Sequence, residues 1–174
     1  MKPYIPLALF GLLAGCSAAS SQDAQQAIEP LKHETAADPI PFGARVQVRS
    51  QDFVKITRVD TRSRLNLLPD GAKAAPDQTF VVVEYVIKAP SVAPEALASF
   101  PSLSLVSPSG EVYATNPGLE IAAADEAGFA ARSVEVLKSS GQMLDVLVFE
   151  VPAASFQTDT WQILSDNETH LALR

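Results

Sequence analysis

Three observations predict an all-β sandwich. Short runs alternate apolar and polar residues, turn-forming residues separate them at regular intervals, and no long amphipathic helical period interrupts the pattern. Val46 and Val48 alternate with Arg45, Gln47 and Arg49, which fits a strand over 44–49 with one solvated face. A second strand over 53–59 places Val54 and Ile56 on one face, and Arg58 breaks that alternation, so a bulge or an edge is expected there. Residues 79–88 form the clearest strand. Val81, Val83, Tyr85 and Ile87 make one apolar face, and Phe80, Val82, Glu84, Val86 and Lys88 make a mixed one, as suits a central strand.

The remaining elements read as hairpins. Strands over 103–106 and 111–114 flank Ser107-Pro108-Ser109-Gly110, with Pro and Gly where a type I turn prefers them. Strands over 132–138 and 142–151 flank Ser139-Ser140-Gly141; in the latter, Leu147, Phe149 and Val151 face the core and Pro152 ends the ladder. Strands over 160–164 and 170–173 close the chain around Ser165-Asp166-Asn167-Glu168. The result is a sandwich of seven to eight strands. Two long connections, 65–78 and 117–131, have room for short helical turns and are the places where such a fold keeps its function.

The N-terminus carries an address. Residues 7–14 form an apolar run behind Lys2, long enough for a signal-peptide core and too short to span a bilayer. The run ends in Leu13-Ala14-Gly15-Cys16, which resembles the bacterial lipobox. That resemblance implies a signal peptide over 1–15, cleavage before Cys16, a diacylglyceryl thioether on its sulfur and an acylated amino group. Cys16 is the single cysteine of the chain, so no disulfide and no thiolate metal site is available. Each buried methylene of an acyl chain contributes about 0.8 kcal/mol, so two or three chains hold a protein on a membrane without a transmembrane helix. Ser17 follows the cysteine. Under the sorting rule of Gram-negative lipoproteins, a serine there favours the outer membrane, facing the periplasm. Residues 16–41, rich in Ala, Ser, Gln, Asp and Pro, read as a lipidated flexible tether with a root-mean-square span of about 25–30 Å. The folded domain is expected over 42–174.

Charge narrows the partners. The 174-residue chain has a formal net charge of −7, and loss of Lys2 with the signal peptide makes it one unit more negative. Nucleic-acid recognition rests on clustered cations, and adhesion to anionic lipid does too; both are disfavoured, which leaves the acyl anchor as the membrane attachment.

A family resemblance covers about 43–174. The run 79–88, the hairpin from Leu103 to Tyr113 and the strand from Gly141 to Pro152 with its Val148-Phe149-Glu150-Val151-Pro152 ending resemble a family of exported bacterial immunoglobulin-like domains. That family is known as a domain of unknown function and includes a secreted immunogenic antigen. Lipobox, low-complexity tether and sandwich is also its usual layout. The central strand departs from the family pattern at Ala89-Pro90-Ser91, where an Asn-containing turn is usual. The resemblance implies an antiparallel immunoglobulin-like sandwich and supplies no catalytic residue.

The two histidines, His33 and His170, are too few for a multi-histidine metal centre. Asp166, Asn167, Glu168 and His170 offer oxygen and imidazole ligands, but their spacing matches ordinary turn chemistry rather than a calcium loop. No Gly-x-Ser-x-Gly is present, and His170 is the one domain histidine that could serve a serine nucleophile. Asp125-Glu126 read as a solvated pair in an Ala-rich loop. No enzyme activity, catalytic residue, cofactor or metal is expected. Two features are candidate binding surfaces. Lys55, Arg58, Arg62 and Arg64 form either a docking patch for an acidic partner or a charged, protected edge strand. Leu119, Ile121 and Phe129 in the 117–131 loop either dock a partner or cap the core. Trp161 is expected in core or edge packing. The expectation is a membrane-anchored envelope lipoprotein acting as a non-catalytic interaction module for another protein. The alternative is a binder of a small ligand or cell-wall glycan through its long loops.

Overall fold

Two four-stranded antiparallel sheets face each other in the computed structural model, which describes residues 33–47, 53–66, 71–88, 102–126, 128–166 and 168–174. The lipobox with Cys16, the tether up to residue 32, the turn at 89–91 and Asn167 lie outside the described residues. In chain order the elements are β1 (Val46–Gln47), β2 (Phe53–Arg62), β3 (Arg64–Leu65), β4 (Ala72–Lys73), β5 (Gln78–Lys88), β6 (Leu103–Val106) and β7 (Val112–Tyr113). There follow α1 (Pro117–Glu126), α2 (Phe129–Ser140), β8 (Met143–Pro152), β9 (Gln162–Ser165) and β10 (His170–Ala172).

The first sheet runs β1-β2-β5-β8 and the second β10-β9-β6-β7. Read as an immunoglobulin-like sandwich, β2, β5 and β8 take the A, B and E positions, and β10, β9, β6 and β7 take G, F, C and C′. A helical pair, α1 and α2, fills the connection between C′ and E. The core lies between the sheets. Val81, Val83, Tyr85 and Ile87 of β5 meet Leu147, Phe149 and Val151 of β8, Val54 and Ile56 of β2, and Leu103, Leu105, Trp161, Ile163 and Leu171 from across the sandwich. Trp161 is fully buried, and its indole N–H donates to the Ser155 carbonyl at 3.0 Å.

The outer face of β5 is buried as well. Phe80 and Val82 pack with Leu65, Ala74, Val146 and Val148 beneath Ala122 and Ala123 of α1. Burial on both faces explains the nearly continuous apolar run of β5. The break expected at Arg58 is a register shift: Ile56 pairs with Tyr85, Arg58 with Glu84, and Thr57 is the extra residue. Beyond it the parity of β2 reverses. Val59 packs against the core, and Arg58, Asp60 and Arg62 align opposite Glu84, Val82 and Phe80 on the helix-bearing face.

Two expectations are corrected, the strand over 132–138 and the helical turns at 65–78. Residues 132–138 are helix α2, not a strand. Val134 and Val136 imitate a strand period, but Ala130, Ala131, Arg132, Glu135, Leu137 and Lys138 favour helix, and Gly141 (φ 64°) ends it in the left-handed conformation. The helical turns expected in the 117–131 connection are present, as α1 and the start of α2. Asn116 caps α1 by accepting the Gly118 N–H at 3.1 Å on its side-chain oxygen, and Pro117 takes the first helical position. The 65–78 connection carries the β3–β4 pair.

The last part of the expected tether is held by the domain. Ile40 forms a parallel bridge with Leu171 at the free edge of β10 and packs against the core.

Candidate functional site

Two surfaces of the sandwich carry organised polar chemistry. The first lies under the helices. Glu84, central on β5 and buried, accepts from both terminal nitrogens of Arg132 on α2, at 3.0 and 2.6 Å. This forked pairing holds the Glu84 carboxyl below the usual carboxylate range. It outweighs the upward push of burial, and the charges of Arg58 and Arg62 add to it. Arg58 reaches Asp60 at 3.0 Å and Glu84 at 3.9 Å. Arg62 bridges Asp60 at 3.3 Å and Glu126 of α1 at 2.7 Å, and Asn66 donates to the other Glu126 oxygen. Of the predicted cationic patch, Arg58 and Arg62 therefore sit in an ion-pair network that fastens both helices to the first sheet. Arg64 lies on β3, with its guanidinium against Gly71, and Lys55 lies opposite Val86. The acidic pair Asp125-Glu126 closes α1, and Glu126 belongs to that network. Leu119 and Phe129 are half-buried against the second apolar cluster, whereas Ile121 is 72% exposed.

At the edge strand β8, the Tyr85 hydroxyl donates to Asp145 at 2.8 Å. Burial pushes the Tyr85 phenol up, and Asp145 and Glu120 add to that. Burial likewise raises the Glu120 carboxyl against an opposing hydrogen bond from Thr115.

The second surface is the outer face of the second sheet. Ser104, Val106, Val112, Gln162, Leu164, His170 and Ala172 share it by register. Residues 33–40 cross this face as an extended strap, from the β6–β7 hairpin over β9 to β10. His33 N–H donates to Gly110 O at 2.8 Å. Gln162, buried, grips Ala36 on both sides of its main chain: its oxygen accepts the Ala36 N–H at 2.9 Å, and its amide nitrogen donates to Ala36 O at 2.8 Å. At the far edge Ile40 N–H donates to His170 O at 2.9 Å, and Ala172 N–H to Ile40 O at 2.8 Å. Val106 and Leu164, apolar residues on an outer face, are buried here.

Two concavities border the strap. One of about 290 Å³ is lined by His33, Ser104, Val112, Leu164, Asp166 and Glu168, among others. The other, of about 500 Å³, lies between residues 33–35 and Pro108, Ser109 and Gly110. The His170 imidazole is held below its ordinary value, first by burial and then by the nearby His33, with Glu168 opposing. Its Nδ1 is buried and makes no hydrogen bond among the described residues. Among the described residues no group of three or more His, Cys, Asp and Glu is placed to hold a metal ion.

Gln162 is the residue that the sequence reading missed. In Trp161-Gln162-Ile163-Leu164 it stands at a solvent-facing position of the alternation, and nothing local shows that a segment 126 residues earlier covers it.

No family model and no curated protein matches the chain in sequence. Two solved structures resemble it. A conserved hypothetical protein from Bacillus anthracis superposes with a TM-score of 0.59 at 19% identity, over 78% of this chain and 95% of the other. An uncharacterized beta-sandwich protein from Clostridium difficile has a TM-score of 0.47 at 10% identity, over 84% and 100%. The first supports the fold.

Proposed function

We propose that this chain is a membrane-anchored envelope lipoprotein, lipidated at Cys16, whose sandwich is a non-catalytic interaction module. The face that meets a partner protein is the outer face of the second sheet, where an extended peptide docks by its main chain. One observation carries this reading: the buried Gln162 amide holds both peptide groups of Ala36, and the edge of β10 takes Ile40 in a single parallel bridge. Main-chain recognition at a sheet edge is a recurrent way for sandwiches to bind extended segments. The arginine patch supports docking less well, because Arg58 and Arg62 are paired within the domain.

Two experiments test the reading. Labelling with a fatty-acid probe should mark the chain and be lost in Cys16→Ser, with release to soluble fractions; retention on membranes would refute the anchor. A photo-crosslinking residue at Ser104, on the groove face, should trap one dominant polypeptide in cells, and the same probe at Ile121 should trap none. The reverse pattern would move the interaction to the helix face, and no product at either position would refute the module. The concavity beside His33 favours a second reading, a small polar ligand. Thermal stabilisation by cell-wall fragments, lost on filling the cavity with Ser104→Phe, would select it.

A further inference from the structure

We infer that the groove's partner is a second copy of this chain, which lays its own segment 33–40 where the resident one lies. The inference rests on the groove being a peptide-docking surface. Its ground is what the groove reads. Five hydrogen bonds among the described residues use the strap's main chain: His33 N–H to Gly110 O, Ala36 N–H and O to Gln162, and Ile40 N–H and O to His170 and Ala172. Ile40 alone adds a side chain packed against the core. The same segment from another copy meets every one of these partners unchanged.

The connection between strap and domain allows the exchange. Ala44 N–H donates to Pro41 O at 3.0 Å, and Gly43 at φ 73° completes a tight turn. That turn carries the chain from Ile40, on the second sheet, to Val46, which pairs with Val54 on the first. Opened, it projects 33–40 away from its own sandwich and leaves both sheets intact, the arrangement by which identical elements are exchanged between copies. A short linker gives the resident segment an effective concentration of millimolar order. The dilute chain is therefore closed, and copies confined at high local concentration exchange.

Deleting Pro41 to Ala44 tests this, because the two residue steps then left between Ile40 and Val46 span about 7 Å, less than the roughly 10 Å between packed sheets, so the two cannot reach their partners within one copy. The full chain with this deletion should be a dimer by light scattering at about 100 micromolar, well below that effective concentration. Gln162→Met in the same background should return it to monomer. A monomer with 33–40 still protected from hydrogen exchange would overturn the inference, and so would a monomer with protection lost. A second measurement leaves the turn intact and stands where the deletion prevents folding. Thr35→Cys chains are mixed with Ser109→Cys chains at about millimolar concentration, both carrying Cys16→Ser, and treated with a short bis-maleimide. A covalent heterodimer is expected; monomers alone would overturn the exchange. Failure of the groove reading looks different: a chain carrying both cysteines would then not close its own crosslink.

Discussion

Gln162→Met keeps the length and most of the volume of the side chain and removes both of its hydrogen bonds to Ala36. Each such bond is worth about 0.5–1.5 kcal/mol net, so strap docking should weaken by about 1–3 kcal/mol. At about 1.4 kcal/mol per decade, that is roughly a 5- to 150-fold rise in the opened population. The reporter is the Ile40 amide. Its acceptor, His170 O, is untouched by the substitution, so its exchange rate follows strap opening and not a lost bond of its own. Native-state hydrogen exchange by NMR reads it directly. Amides of β5 and β8 should change far less, because the strap touches the core those strands build through Ile40 alone. Unchanged protection at Ile40 would refute the claim that Gln162 holds the strap. Equal loss at Ile40 and in β5 would refute the claim that the strap opens independently of the domain.

Other outcomes follow from the same contacts. Arg132→Ala leaves the buried Glu84 with Arg58 at 3.9 Å as its remaining ion pair, and should cost about 2–3 kcal/mol by chemical denaturation; this is below the usual cost of breaking a buried pair, because Arg132 is itself 41% exposed. Because the Glu84 carboxyl is lowered in the fold, its stabilisation is present above its ordinary value of 4.5 and is lost as pH falls below it; Glu84→Gln should flatten acid unfolding there. The lowered His170 imidazole works through the released state, which takes up the proton more readily below 6.5. Ile40 protection should therefore fall as pH drops through 6.5, and His170→Gln should remove that dependence. Ala122→Leu forces a larger side chain between α1 and the outer face of β5 and should cost about 1–3 kcal/mol, whereas Ile121→Ser on the exposed side should stay within about 0.5 kcal/mol.

The strands were legible where alternation met a half-buried face. Residues 53–59 carry a period of two because one face packs in the core, and the break at Arg58 is visible as a lapse in that period; 79–88, buried on both faces, shows instead as a nearly continuous apolar run, and the 103–113 hairpin and the closing pair are marked by their turn residues. The helices were legible only as short turns in 117–131. In α2 the spacing of Val134 and Val136 fits a strand locally, and its helical state depends on Gly141, Phe129 under the second cluster and the Arg132–Glu84 pairing. Asn116-Pro117 was a readable helix start, hidden by the weak amphipathicity of an alanine-rich segment whose small residues pack closely against β5. Glu84 in the mixed face of β5 could be seen as unusual, yet its partner lies 48 residues onward. The strap escaped detection for a related reason. Its composition is that of a linker, and its docking uses main-chain groups that every residue possesses, so no side-chain pattern marks it.

The central claim is that the strap and an outside partner compete for one groove, and two variants test it with opposite signs. Ala36→Pro removes the strap's N–H to Gln162 and leaves the Gln162 amide free to grip another peptide. In cells that also carry the parent chain, whose Ala36 is intact, crosslinking from Ser104 should rise in Ala36→Pro and fall in Gln162→Met. Equal yields in both variants and the parent chain would contradict the account, because the strap and its clamp would then have no bearing on what the protein binds.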